Sequence, residues 1–171
     1  MPQRECLSLS VIDRINLRAF DAWAYKEYRP TTAALIVRDS DGAVLLVQPA
    51  GDAGDWGCPQ GVVREGESVT VALVRELREK LLLGPQSFAI DAYLGEEDLA
   101  AGGGNGDVGG FTVGNRYFFF ALICTQPDAV VIDPVELTAA LWVDPRDLSS
   151  AMVTTRPEKR DMLLRHFRPL S

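Results

Sequence analysis

The chain is poor in several residues on which common protein chemistry depends. Of its 171 residues, one is histidine and three are cysteine. A lone His166 near the C-terminus excludes a site built on several histidines, and it reads as a helix-surface or packing residue. Cys6, Cys58 and Cys124 are odd in number and far apart, with neither metal-ligand spacing nor a disulfide framework. They read as buried or inert thiols in a reducing cytoplasm, and Cys58 has no evident partner base that would make it a nucleophile. Basic residues are also in deficit. Lys and Arg number 17 against 24 Asp and Glu, a formal charge of −7, which disfavours non-specific binding to nucleic acid. No apolar run approaches membrane-span length. The polar, charged N-terminus carries no secretory-signal pattern, so a cytoplasmic location is expected.

Hydrophobic residues make up 47% of the chain, enough at this length for one substantial core. A single domain over residues 1–171 is expected. Residues 1–28, with Phe20, Trp23 and Tyr25, form an N-terminal extension packed on it, in strand or helix. Residues 31–38 read as a buried strand and 43–48 as its hairpin partner, joined by the turn Asp39-Ser-Asp-Gly42. Residues 49–56 are a polar loop. Val69, Leu73, Leu77 and Leu81 recur every four residues and predict a helix over 68–83, with Ser68 as N-cap and Gly84 in a left-handed cap position before Pro85. Strands follow at 87–94, 115–125 and 139–143. The segment 95–115 reads as a long loop, with seven glycines between 102 and 114. It lacks Gly-Lys-Ser/Thr and so is no P-loop; a plain connection outweighs a substrate lid. A capping box, Thr155-x-x-Glu158, opens a last helix to about Phe167. Strands on both sides of a central helix, with a helix at the end, predict an α/β fold with a mixed sheet between helical layers.

Glu76, Glu79 and Lys80 fall at i, i+3 and i+4 on the central helix and share one face. A salt-bridged surface helix has the same pattern, and Glu76–Lys80 is a favourable pair. Two carboxylates on one face also suit a hard divalent cation. The stretch before the helix weighs against a plain surface helix: Trp56-Gly-Cys-Pro-Gln-Gly61 and then Glu67, at fixed offsets from Arg75-Glu-Leu-Arg-Glu79 of the helix itself.

These offsets resemble the signature of the Nudix hydrolases, G-x5-E-x7-R-E-U-x-E-E-x-G-U, where U is aliphatic. Those enzymes cut the pyrophosphate linkage of nucleoside diphosphate derivatives. The Trp-x-x-Pro-Gln-Gly lead-in is similar to the branch acting on dinucleoside oligophosphates and triphosphate RNA ends. The resemblance is detailed over residues 56–83 and looser over about 30–150. It implies a Nudix-like α/β/α sandwich and a metal-dependent hydrolase using Mg2+ or Mn2+ on a nucleotide or dinucleoside polyphosphate. It also implies that nucleic acid enters only as a 5′ end. By resemblance, Glu76 and Glu79 ligate metal or position the attacking water, and the Gly61 carbonyl completes the metal shell. Glu67 and Arg75 brace loop against helix. A further acidic ligand matches Glu136, with Glu96 and Glu97 as rivals. Arg38, Gln48, Gln60, Lys80 and Arg116 are candidate substrate contacts.

The sequence departs from the signature at two positions. Leu82 stands where the family has glycine, which a helix running a residue or two further would explain. Lys80 stands where the family has its second paired glutamate, and an ammonium cannot ligate Mg2+. Three outcomes stay open: fewer metals and reduced activity, a lysine that contacts phosphate in a metal's stead, or a catalytically impaired module that binds nucleotide or protein.

Overall fold

A computed structural model describes residues 7–101, 110–111 and 113–167. The expected glycine-rich connection lies mostly outside these residues, as does Cys6. Chain order is α1 (Leu9–Tyr25), β1 (Tyr28–Arg38), β2 (Val44–Pro49), β3 (Gln60–Val62), α2 (Val69–Leu81), β4 (Phe88–Ala100), β5 (Gly114–Cys124), β6 (Leu137–Val143), α3 (Leu148–Ala151) and α4 (Pro157–His166).

The strands form one mixed sheet in the order β4-β5-β1-β2-β6. β1 lies parallel to β5 along its full length. Its other edge is divided: β3 pairs with Thr31–Ala33, and β2 joins at Val37. Successive side chains of a strand point to opposite faces, so a central strand covered on both faces must be apolar throughout. β1 meets that condition over Ala33–Val37 and β5 over Tyr117–Leu122. Ala33, Leu35, Val37, Tyr117 and Phe119 pack beneath α3 and α4 with Leu148, Met152, Met162 and Leu163. Ala34, Ile36, Phe118, Phe120 and Leu122 pack beneath α1 and α2 with Ile15, Leu73, Leu77 and Leu81. The result is the α/β/α sandwich expected from the sequence.

The N-terminal segment forms a helix. Ser8 caps it by accepting from Val11 N at 3.3 Å, and Val11, Ile15, Ala19 and Ala22 make its buried stripe. α1 is tied to the loop and helix that follow β3. Trp23 Nε1 donates to Val63 O at 2.8 Å, and Asn16 Oδ1 accepts from Val69 N at 3.0 Å.

Four local expectations need correction. Helix α2 ends at Leu81, and Leu82 itself takes the left-handed position (φ 51°, ψ 24°), while Gly84 is extended. The departure at Leu82 is therefore not a longer helix: the turn is where the signature has it, built with leucine. Leu82 N donates to Arg78 O and Leu83 N to Leu77 O, which closes the helix end, and buried Leu83 holds it to the core. Ser68 sits at the N-cap but its hydroxyl pairs with Thr70, so the capping acceptor is Asn16 instead. Residues 95–100 are not loop. They continue β4, paired with β5, through a bulge at Gly95 (φ 112°). Thr155 forms no capping box; its hydroxyl donates to Trp56 O at 2.7 Å, and Arg156 occupies the N-cap of α4.

Candidate active site

β3 is three residues long, and its pairing with β1 sets Gly61 directly beneath α2. A Cβ on Gly61 would lie 1.8 Å from Glu76 Cδ and 2.2 Å from its Cγ. Glycine is required there because the Glu76 side chain fills the space. Arg75 reaches from the helix to the loop. It donates to both Glu67 oxygens (2.8 and 3.0 Å), to Val62 O (2.8 Å) and to Glu76 Oε1 (2.7 Å). Glu67 also accepts from Arg64 N at 2.9 Å. The hydrogen bond from Arg75, opposed by burial and reinforced by the Arg64 N–H, holds the Glu67 carboxyl below its ordinary pKa. The same pairing raises that of Arg75.

Beside this brace opens a cleft of about 570 Å³, lined by Gln60, Gly61, Glu76, Glu79, Lys80 and Glu136 among others. Glu136 is brought there by backbone bonds that dock its loop on the end of α2, Asp133 N to Lys80 O and Val131 N to Leu81 O. Glu76 is 11% exposed and held on both oxygens, by Arg75 and, at 3.4 Å, by Lys80 Nζ. Glu79 and Glu136 are each 47% exposed. Among the described residues, Glu79 accepts a hydrogen bond from Arg75 at 3.3 Å and stands 3.8 Å from Arg64.

Lys80 is 19% exposed, and its ammonium lies between three oxygens. It donates to Gln60 O at 2.6 Å and stands 3.4 Å from Glu76 and 4.0 Å from Glu136.

The opposite wall was not foreseen. Lys159 of α4 pairs with Asp55 at 2.5 Å, and Arg29 Nε donates to Asn115 Oδ1 at 3.0 Å; all four residues line the cleft. Alternation along β1 and β5 brings Arg29 and Thr31 beside Asn115 and Tyr117. That period was readable in the sequence, but which face would border a cleft was not. The Lys159–Asp55 pair spans 104 residues and left no local signal. Gln60 Oε1 is buried without a hydrogen-bond donor from the described residues. Burial pushes the Cys58 thiol up to about 12, consistent with an inert role.

Arg38, Gln48 and Arg116 are not among the residues lining the cleft. Arg38 lies seven residues along β1 from Thr31, about 23 Å away. It makes a two-point pair with Asp41 and sits 5.2 Å over the Trp142 ring. Arg116 points to the face opposite Asn115 and pairs with Asp98 at 2.7 and 2.9 Å. The Gln48 amide donates to Ala53 O within the loop after β2. Glu96 pairs with Arg18, and Glu97 with Arg165 and His166, whose ring stacks on Phe119. Neither acid lines the cleft.

A profile of the NUDIX domain matches residues 27–166. This chain belongs to the NUDIX domain family. An RNA pyrophosphohydrolase of Novosphingobium aromaticivorans is 28% identical over 165 residues, covering 88% of this chain and 98% of that protein. One from Halorhodospira halophila is 41% identical over 63 residues, 37% of this chain and only 34% of that protein. Among solved structures, a C. elegans Ap4A hydrolase binary complex superposes with a TM-score of 0.61 at 21% identity, covering 81% of this chain and 94% of that one. At that identity the likeness concerns the fold. The matched NUDIX domain begins after α1, so the helix that caps α2 lies outside it.

NUDIX hydrolases generally use divalent metal ions, and the side chains present decide where one fits here. Among the described residues, no group of three or more His, Cys, Asp or Glu is arranged to hold a metal ion. The inner position, between Gln60 O, Glu76 and Glu136, does not fit a metal, because the Lys80 ammonium lies there. Glu79 and Glu136 are the half-exposed carboxylates of the same cleft. No helix among the described residues is long and apolar enough to cross a membrane.

Proposed function

We propose that this chain is a NUDIX hydrolase that cleaves the pyrophosphate linkage of a nucleoside diphosphate derivative, with triphosphate RNA 5′ ends and dinucleoside polyphosphates as the substrate classes to test first. The single observation that carries the reading is the pairing, in one cleft, of the half-exposed carboxylate of Glu79 with the cations Lys80, Arg29 and Lys159. The acid suits a water and the cations suit phosphate oxygens. The names of the RNA pyrophosphohydrolase relatives favour an RNA end.

In this reading Glu79 accepts a proton from the attacking water. The water oxygen bonds to phosphorus, the bridging P–O bond breaks, and the leaving phosphate takes the bridging oxygen with its electron pair. Glu76, held on one oxygen by Arg75 and on the other by Lys80, acts by fixing the helix face. Lys80 and Arg29 hold the diphosphate. Glu79 and Glu136 would hold Mg2+ or Mn2+, which would supply charge neutralisation at the phosphate oxygens and a more acidic water. Free, buried Cys58 and Cys124 suit a cytoplasmic setting.

The Lys80 contacts favour a second reading, a NUDIX fold kept for nucleotide binding with turnover impaired. Phosphate release from triphosphate RNA, dinucleoside polyphosphates and nucleoside diphosphate derivatives, with Mg2+ or Mn2+ and with chelator, separates the two. Turnover that Glu79→Gln lowers by about 10²–10⁴ supports the hydrolase. Folded protein with no turnover on any of these supports the second reading.

A further inference from the structure

We propose that Lys80 is a built-in cation: its ammonium takes the inner cation position of the cleft and offers its charge to the diphosphate of a bound nucleotide, so that the chain binds such ligands with one metal ion fewer. The inference rests on the reading of the cleft as a diphosphate site.

Three observations carry it. The first is coordination. The ammonium has a carbonyl oxygen, Gln60 O, at 2.6 Å and carboxylate oxygens of Glu76 and Glu136 at 3.4 and 4.0 Å. A backbone carbonyl with carboxylates is the oxygen set that a hard cation takes. Here a cation carried by the chain itself occupies it. The second is anchoring. The i, i+4 pairing with Glu76 fixes the lysine stem against the helix, and the hydrogen bond to Gln60 O fixes its head against β3. An ammonium has three donors, and the hydrogen bond to Gln60 uses one. The other two face the cleft carboxylates, where they can turn to phosphate oxygens.

The third is charge. Among the described residues, five basic side chains line the cleft: Arg29, Arg64, Arg75, Lys80 and Lys159. Four acidic ones oppose them: Asp55, Glu76, Glu79 and Glu136. The lining is net positive by one, or neutral when Glu67 behind Arg75 is counted, in a chain whose formal charge is −7. A glutamate at position 80 would turn the same lining negative by one or two, and a diphosphate could then enter only with added cations. Lysine removes that requirement at its source.

The test reads binding rather than turnover. Mn2+ bound per chain is counted by electron paramagnetic resonance for the unaltered protein and for Lys80→Glu. ADP binding is measured by calorimetry in chelator for the unaltered protein, Lys80→Met and Lys80→Arg, with thermal unfolding as the check of folding. The expected result is one more Mn2+ in Lys80→Glu than in the unaltered protein. ADP should bind in chelator, about ten-fold or more weakly to Lys80→Met, with Lys80→Arg retaining most of the affinity. Equal Mn2+ counts, or ADP binding that needs added metal, or Lys80→Met binding ADP as the unaltered protein does, would each overturn the proposal. Absence of turnover alone would remove the hydrolase reading and leave this one standing.

Discussion

Asn16 Oδ1 accepts the backbone N–H of Val69 at 3.0 Å, so the central helix is capped by a residue of another helix, 53 positions earlier. The first turn of a helix has N–H groups without intrahelical acceptors, and satisfying one contributes about 1 kcal/mol. Ser68, the local candidate, spends its hydroxyl on Thr70. Asn16→Ala should therefore destabilise the fold by about 1 kcal/mol, lowering Tm by about 2–4 °C for a chain of this size. Asn16→Asp keeps the acceptor and should stay near the parent. Equal melting of Asn16→Ala and parent in a calorimetric scan would show the contact to be idle.

Leu82 is held at φ 51° and is 59% exposed. A residue with a Cβ in the left-handed region is strained by about 1–2 kcal/mol, and glycine is not. Against that stands the greater freedom of glycine in the unfolded chain. Because the leucine side chain buries little, the strain wins, and Leu82→Gly should stabilise by about 0.5–1 kcal/mol. Urea midpoints at constant m-value measure it; a lower midpoint for the glycine variant would refute the argument. The buried neighbour Leu83 gives the contrast, since Leu83→Gly empties a core position and should lose about 2–5 kcal/mol.

The helix register, its apolar stripe and the strands of the sheet centre were legible because each is a local pattern. Leu73, Leu77 and Leu81 repeat within one helix, and Tyr117 to Leu122 alternate within one strand. The cleft floor was implied by the resemblance of the offsets from Gly61 to Lys80 to the Nudix signature, since the helix pattern alone equally suits a salt-bridged surface helix. Its far wall was not. Lys159 meets Asp55, Arg29 meets Asn115 and Thr155 meets Trp56 only because the sheet brings distant segments together. Strand period puts Arg116 and Asn115 on opposite faces, but only the folded sheet shows that the Asn115 face borders the cleft. The end of β4 was hidden by composition. Glu96, Glu97 and Asp98 read as loop, yet each is held by an ion pair to Arg18, Arg165 or Arg116 on an edge strand.

Gly61 shows why the signature opens with glycine in this chain. The nearest atoms to an added Cβ are Glu76 Cδ and Cγ, well inside contact distance. Those atoms cannot swing aside freely, because Arg75 and Lys80 hold the carboxylate. Gly61→Ala should thus cost about 1–3 kcal/mol and displace Glu76 from the cleft edge. Chemical unfolding gives the first quantity. The second appears as lost ADP affinity in protein that is still folded. An alanine variant as stable as the parent would mean that Glu76 moves without penalty.

The brace between Glu67 and Arg75 should give the fold a defined response to acid. The folded-state pKa of Glu67 is lowered, first by the hydrogen bond from Arg75, which outweighs burial, and then by the Arg64 N–H. A depressed carboxyl pKa contributes stability that is present above the unfolded value, ordinarily 4.5, and lost as pH falls through the lower folded value. Glu67→Gln removes the charge at every pH. Its stability deficit relative to the parent should be constant near neutrality, begin to shrink below 4.5 and vanish once Glu67 itself is protonated. Urea unfolding of both proteins, from about pH 7 down to about pH 3, follows the gap directly. Because Arg75 also holds Glu76 and Glu79, general acid destabilisation is shared by the two proteins and cancels in the difference. A gap that stays constant or widens in acid would mean that the Glu67 carboxylate is no more stable folded than unfolded, and that loop and helix are braced by Arg75 to Val62 O alone.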